Sequence, residues 1–279
     1  MMKQYACLIM DIENSKKYDV SERNEIQQYM NQCINNLNGL FREDIQFEVT
    51  FSAGDELQGL FDNVVTALLY FRLFEILIAP VKIRAGVGVG DWTVKMESGL
   101  STQQDGPAYH HAREAIDKVH GMQLQNIRIC SDDMDDLVNY LLNASLPLKR
   151  QQIYMQNMVQ TLIELLFPFV AANDSAEKYV YIKELVGLKF EYRIGSKKSE
   201  LYTKRNLDEL PNALPIEING EIGDAESMII KKNTATIISQ ILQCSRQNVD
   251  TIMRRCNSNK IRELDYVALQ YVRKAFGLK

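Results

Sequence analysis

Cysteine is sparse and scattered in this sequence. Its five cysteines, Cys7, Cys33, Cys130, Cys244 and Cys256, form no Cys-x-x-Cys pair and are odd in number. Neither a disulfide framework nor a zinc site follows from them, and they read as small buried hydrophobes. Histidine is scarcer: there are three, and the neighbours His110 and His111 would point to different sides of a helix, so no imidazole cluster is expected. Long apolar runs are also missing. Leu162 to Ala172 is interrupted by Glu164 and Pro168 and is too short to span a bilayer. The first apolar run stops at Asp11 without a small-residue cleavage site, so a buried strand is expected there and not a signal peptide. A cytoplasmic protein without membrane association is the expectation.

What is present is an ordinary globular composition, 46% apolar and 24% charged over 279 residues, enough for one good core and a second, smaller one. The charge is unevenly divided. From Ile230 onward there are ten basic residues against three acidic ones, Asp250, Glu263 and Asp265, a net +7; the whole chain is −4, which leaves −11 before Ile230. A basic tail that meets a polyanion is one reading, and a basic helical surface without a nucleic-acid partner is the plainer one.

The most informative stretch is Phe51-Ser52-Ala53-Gly54-Asp55-Glu56-Leu57, a Gly-Asp-Glu turn between the apolar runs Phe47–Phe51 and Leu57–Phe61. Strand-period residues flanking a glycine predict a hairpin. Two adjacent acids at its tip, with no basic residue nearby, call for a cation such as a divalent metal. A further carboxylate, Asp11, ends the run from Tyr5 and is followed by the polar loop Glu13-Asn14-Ser15-Lys16-Lys17. Strands lying side by side would set Asp11 facing Asp55. The bland alternative is a solvated rim of strand-end acids.

Around these landmarks the chain reads as alternating elements. Ser21 is expected to cap a helix running to about Leu40, with Ile26, Tyr29, Met30, Cys33, Ile34 and Leu37 inward, and Asp62 to cap a second, broadly apolar helix that ends before Pro80. Val81 to Asp91 reads as a strand whose glycines at 86, 88 and 90 keep one face bare for a helix backbone or a nucleotide base. Trp92 to Glu97 is expected to return as another strand. Pro107 opens a helix stopping near Gly121, Ile127 to Cys130 is a strand, and Asp132 or Asp133 caps a helix to about Leu142. This order predicts an α+β fold, a split βαβ palm of ferredoxin-like type closing near residue 145.

Beyond it, Pro147 to Ala172 reads as one long amphipathic helix, Tyr179–Ile182 and Leu188–Ile194 as two short strands, and Pro211 to Asp224 as a linker. In the tail, Asn233 or Thr234 starts a helix, Gln243-Cys244 breaks it, and Ser245 caps Arg246 to Arg255; a closing helix runs from Lys260 to Phe276. This is a helix-turn-helix pattern with Gln243 where glycine is usual. Arg246, Gln247 and Asn248 at the start of the second helix are placed for base edges, and Arg254 and Arg255 for phosphates. A three-helix protein-interaction module is the alternative. Three units are expected: a palm at 1–145, a helical middle at 146–225 and the helix-turn-helix at 226–279.

Asp11-Ile12, Ala53-Gly54-Asp55-Glu56, Arg84 to Asp91 and Gly106 to Arg113 resemble, in order and spacing, the landmarks of class III nucleotidyl cyclases, and the hairpin is similar to that of diguanylate cyclases. Tyr5 to Lys17, Asp105-Gly106-Pro107-Ala108 and His110-x-Ala112-Arg113-Glu114, followed by the tail, more closely resemble the SatD family of bacterial proteins. The cyclase resemblance implies Mg²⁺ or Mn²⁺ held by Asp11 and Asp55, with Glu56 beside them. It also implies a nucleoside triphosphate cradled by Ile12, Glu13, Asn14 and Ser15, neutralised by Lys16 or Lys17, with Gly54 and Gly86 in the binding set, and a homodimer that completes the site. It aligns His110 with the family's helix asparagine, Phe51 with its base-reading lysine and Glu114 with its transition-state arginine; Arg113 comes one residue earlier, turned about 100 degrees on a helix. His110 and Arg113 are therefore the candidate catalytic pair. Three readings stay open: a regulator whose nucleotide-bound palm controls DNA binding, a cyclase making a nucleotide signal from ATP or GTP, and an inert palm used for dimerisation.

Overall fold

A computed structural model describes residues 4–97, 99–132, 136–171, 179–192, 194, 207, 210–218, 229 and 231–278. Five strands, β1 (Tyr5–Ile12), β2 (Ile45–Ala53), β3 (Glu56–Phe61), β4 (Ile83–Gly90) and β5 (Ile127–Cys130), form a mixed sheet in the order β2-β3-β1-β4-β5. β1 runs antiparallel to both β3 and β4, β2 is antiparallel to β3, and β5 is parallel to β4. The class is α+β, as the alternation of apolar runs and amphipathic stretches leads one to expect.

Strand alternation sorts the side chains of β1 between two layers. Leu8, Met10 and Ile12 join a large cluster with α1 (Val20–Leu40) and α2 (Val64–Ile78), while Cys7 and Ile9 meet Ala108, Ala112 and Ile116 of α3 (Pro107–His120). The bare glycine face of β4 is where α3 lies. A Cβ on Gly86 would stand 2.4 Å from the backbone N of Ile116, and one on Gly88 2.0 Å from the carbonyl O of Ala108. Of the two partners expected for that face, the helix backbone lies against it at Gly86 and Gly88.

The helix starts differ from expectation by one or two residues. Asp19, not Ser21, caps α1 in a reciprocal capping box with Glu22, and Asn63, not Asp62, caps α2 by accepting from the N–H of Thr66. In both cases the capping oxygen must reach the N–H two or three residues into the helix, and only those positions do so. The strand expected over Trp92–Glu97 reduces to one bridge between Val94 and Asp105. The side-chain amide of Gln104 bonds both N–H and C=O of Met96, taking the place of a strand partner.

The middle of the chain departs most. The expected long helix is three pieces: α5 (Leu146–Arg150), α6 (Tyr154–Leu166) and then a two-residue strand β6 (Phe169–Val170), with α4 (Asp136–Leu142) preceding them. Pro168 disfavours helical backbone at Phe167, which ends α6. The two strands expected over 179–194 are one helix, α7 (Tyr179–Glu191), with Ile182, Leu185, Val186 and Phe190 buried at helical spacing. Its Tyr181 ring lies where Gly39 of α1 has no side chain, and the ammonium of Lys189 donates to the carbonyls of Ile76, Leu77 and Ala79, closing the C-terminal end of α2. Within the expected linker, β7 (Ile216–Glu217) pairs in parallel with β6; residues 219–224 lie outside those described.

The last three helices are α8 (Thr234–Leu242), α9 (Arg246–Arg255) and α10 (Ser258–Ala275). Residues from all three expected units, from Ala6 to Val272, share one hydrophobic cluster. Inside it lies a buried ion network. Glu164 of α6, with no side-chain exposure, binds Arg72 of α2 and Arg262 of α10, and both guanidinium groups also lie against the Phe169 ring, at 4.6 and 4.4 Å. Asp265 of α10 binds Arg72 at 2.7 Å and Lys149 at 3.2 Å, and Lys149 reaches Glu75 at 3.1 Å. Among the described residues no helix is long and apolar enough to cross a membrane.

Candidate functional site

The C-terminal end of β1, the β2–β3 turn, the N-terminal end of β4 and the last turn of α3 converge on one edge of the sheet. Across the β1–β3 ladder Met10 pairs with Leu57, so the next rung sets Asp11 beside Glu56. Asp55 lies in the turn after Gly54, whose φ of 63° supplies the left-handed corner. The expected facing of Asp11 and Asp55 is thus offset by one residue, and a one-residue offset exchanges the faces of a strand. Glu56 and Asp11 share the α3 side.

Each of those two acids is engaged. Asp11 accepts from Nε of Arg84 at 3.2 Å, its partner across β1–β4, and its other oxygen lies 2.8 Å from Nε2 of His120. Glu56 accepts from both terminal nitrogens of Arg113, at 2.6 and 2.9 Å, and from the Ser52 hydroxyl at 2.8 Å. The Arg113 hydrogen bonds hold the Glu56 carboxyl below the usual carboxylate range, against burial that pushes it up. Asp55 has no hydrogen bond or ion pair among the described residues. His110 stands apart: it is exposed, 3.3 Å from Asp105, and ten residues before His120, roughly 15 Å along the helix axis at 1.5 Å per residue. Arg113 lies one turn further along α3.

Directly after β1 the backbone turns sharply. Asn14 is left-handed (φ 58°, ψ 42°) and Ser15–Lys17 form a single 3₁₀ turn. The N–H of Glu13 bonds Lys82 and that of Lys17 bonds Asn14, whereas those of Asn14, Ser15 and Lys16 have no backbone partner among the described residues. Successive N–H groups in such a left-handed to right-handed turn form a concavity suited to an anion. Lys16 and Lys17 are exposed beside it, and the Glu13 side chain is held by Arg150 of α5 at 3.1 Å.

No group of three or more His, Cys, Asp or Glu is placed to hold a metal among the described residues. The oxygen donors present, Asp11, Asp55 and Glu56, suit Mg²⁺ in its common form, one or two carboxylates completed by phosphate and water, but not as an all-protein cage. Asp11 is already bound by Arg84 and His120 and Glu56 by Arg113, which leaves Asp55 as the carboxylate of the three without a partner among the described residues.

In the tail, the turn between α8 and α9 is made by Gln243 in left-handed geometry (φ 49°, ψ 47°), doing what glycine usually does, and the Ser245 hydroxyl caps α9 at the N–H of Asn248. Val249 is fully buried. Arg246, Gln247, Arg254 and Arg255 are exposed and Asn248 is half-buried. Arg246 lies 3.6 Å from Asp250 and Arg254 donates to the Thr251 hydroxyl.

Sequence reasoning missed Arg84, His120 and Arg150. A lone arginine in an otherwise apolar, glycine-rich strand is a signal that could have found Arg84. The other two meet the edge only through the packing of α3 and α5.

The profile of the SatD family matches residues 5–202. No curated protein matches the chain. Among solved structures, that of a bacterial light-regulated adenylyl cyclase is similar at 17% identity over 45% of this chain and 74% of that chain, with a TM-score of 0.33.

Proposed function

The chain belongs to the SatD family, and from that premise we propose that it is a regulator whose sheet edge binds a nucleoside triphosphate with Mg²⁺ and whose last three helices bind DNA. The observation that carries the first half is the turn after β1. Three consecutive N–H groups without backbone partners and two exposed lysines lie within a few residues of Asp11, on the edge that also carries Asp55. The strand order β2-β3-β1-β4 with antiparallel neighbours supports the reading of a split βαβ, ferredoxin-like palm, and with it the cyclase-like reading of this edge.

In this reading the N–H groups of Asn14, Ser15 and Lys16 bind phosphate oxygens, Lys16 and Lys17 neutralise them, and Asp11 and Asp55 hold the ion. A bound Mg²⁺ would supply charge neutralisation and fix the phosphates. Binding ranks ahead of turnover because the one arginine of α3 at this edge is bound bidentately by Glu56 and is not directed at a phosphate.

The DNA half is supported by the α8–α9 pair, joined by a three-residue turn, with Arg246 and Gln247 exposed at the start of the second helix and Arg254 and Arg255 at its end. Contact between the two halves runs through α8 and α9, which pack on α6, and through α10, whose Arg262 and Asp265 are bound inside the core by residues of α2, α5 and α6.

The test is a thermal shift with Mg²⁺ and ATP or GTP, run beside pyrophosphate release, on wild type and Asp55→Asn. Stabilisation without turnover, lost in the variant, is expected. Turnover lost in the variant would make the protein a cyclase or related enzyme; no signal of either kind in wild type would leave the palm as a scaffold for dimerisation.

A further inference from the structure

Between the end of α2, the start of β4 and the α5–α6 connection lies a cavity of about 410 Å³ that opens to solvent, within the size range of small-molecule sites. Much of its wall is apolar, with Ile76, Pro80, Val81, Ile83, Leu146 and Tyr154 contributing. The apolar surface runs on to the rim, where Ile153 is 60% exposed.

The charges around the cavity are unevenly used. Its lining holds one acid, Glu75, against three bases, Lys82, Lys149 and Arg150. Glu75 is spent: one oxygen accepts from the Asn126 amide and the other from Lys149 at 3.1 Å. Lys149 also binds Asp265, and Arg150 binds Glu13 and the Gln123 carbonyl. The carbonyls of Ile76, Leu77 and Ala79, which would draw a cation to this end of α2, accept instead from the buried ammonium of Lys189. That leaves Lys82, exposed and in no ion pair among the described residues, on a flexible four-carbon stem that can bring its ammonium over the mouth.

An apolar pocket whose acid is neutralised and whose spare charge is one cation favours an organic anion over a neutral or cationic guest. A phosphate dianion asks for several converging donors, whereas one ammonium matches one carboxylate. We infer that this cavity binds a monocarboxylate with an apolar body, aliphatic or aromatic, whose chain or ring lies against Ile76, Val81, Ile83 and Leu146 and whose carboxylate meets Lys82 at the mouth. The site is distinct from the turn after β1 and needs no metal.

The test is calorimetric titration of the full chain at neutral pH, without Mg²⁺, using octanoate and 2-naphthoate as aliphatic and aromatic carboxylates. Octan-1-ol and 2-naphthamide, which keep the apolar body and lose the charge, serve as controls. Saturable binding of at least one carboxylate is expected, about fivefold tighter than its neutral counterpart, the scale of a partly exposed ion pair. Lys82→Met keeps the apolar stem and should abolish that preference, with the melting temperature unchanged because the side chain is exposed and unpaired among the described residues. Ile153→Asp sets an acid on the rim at the N-cap of α6, where aspartate is favoured, so the fold is retained. It should weaken carboxylate binding about tenfold through like-charge repulsion and lost apolar contact. Lys16→Ala, at the β1 turn, should bind the carboxylates as wild type does. Absence of binding by both carboxylates, equal or tighter binding of the neutral forms, a preference that survives Lys82→Met, indifference to Ile153→Asp, or loss in Lys16→Ala would each overturn the assignment, without touching the reading of the sheet edge.

Discussion

Arg113 and Glu56 form a two-pronged ion pair across the α3 side of the sheet, with both guanidinium nitrogens on both carboxylate oxygens at 2.6 and 2.9 Å. The pair removes one acid and one base from an edge otherwise lined by Asp11, Asp55, Arg84 and His120. Arg113 is half-exposed, so the pair contributes little to stability, under about 1 kcal/mol. Arg113→Ala should leave urea denaturation nearly unchanged while freeing Glu56 for a cation. A Mn²⁺ titration followed by thermal shift should show severalfold tighter binding in the variant; weaker binding would mean that Arg113 organises the edge.

Glu164 is the centre of the buried network, and its removal should be strongly destabilising. Glu164→Gln leaves the buried guanidinium groups of Arg72 and Arg262 without their shared charge, a loss of about 3–5 kcal/mol by comparison with broken buried ion pairs. Urea denaturation at neutral pH measures it. A loss under 1 kcal/mol would show that the network relaxes.

The same network sets a pH dependence. Burial raises the carboxyls of Glu164 and Asp265, but Arg262 and Arg72 for the first, and Lys149 and Arg72 for the second, outweigh it and hold both below their ordinary values of 4.5 and 3.8. The unfolded chain therefore takes up these protons first as pH falls. Their stabilisation is complete above about pH 4.5 and is lost as pH drops through the lower folded values. Denaturation midpoints should fall steeply below pH 4.5 in wild type and less steeply in Glu164→Gln.

Asn139 of α4 and Asn143, the residue just past its end, cover the open edge of β5. Asn139 bonds the N–H and C=O of Ile129, and Asn143 the N–H and C=O of Ile127 together with the N–H of Asn126. Their helical rise of about 6 Å matches two residues of strand. Asn143→Ala should cost about 1–3 kcal/mol. The double alanine variant should aggregate on mild heating, since it exposes a strand edge; light scattering through a melt checks this.

For the tail, anisotropy of a labelled duplex across a salt series separates DNA from protein recognition. Arg254→Ala and Arg255→Ala should each lower the slope of log affinity against log salt by about 1. A slope indifferent to both would remove the phosphate role from these residues.

The local sequence was sufficient for β1, the hairpin, α1 to α3, β4, β5 and the α8–α9 pair, because in each of them periodicity is clear and punctuated by Gly54, Pro80, Pro107, Gly121 or Ser245. It determined that the acids Asp11, Asp55 and Glu56 come to one edge. It could not determine which of them meet. That depends on the β1–β3 register, where one residue exchanges faces and puts Glu56 in place of Asp55. Residues 179–191, rich in tyrosine and valine, carry strand propensity, yet they form α7 because a helical face with Ile182, Leu185 and Val186 buries against α1 and α2, and burial outweighs propensity. The basic count of the tail likewise overstates its surface charge: Arg262 is spent inside the core on Glu164, a partner 98 residues away. Pairings between residues so distant are made by tertiary packing alone, since no local pattern encodes which buried charge will find which.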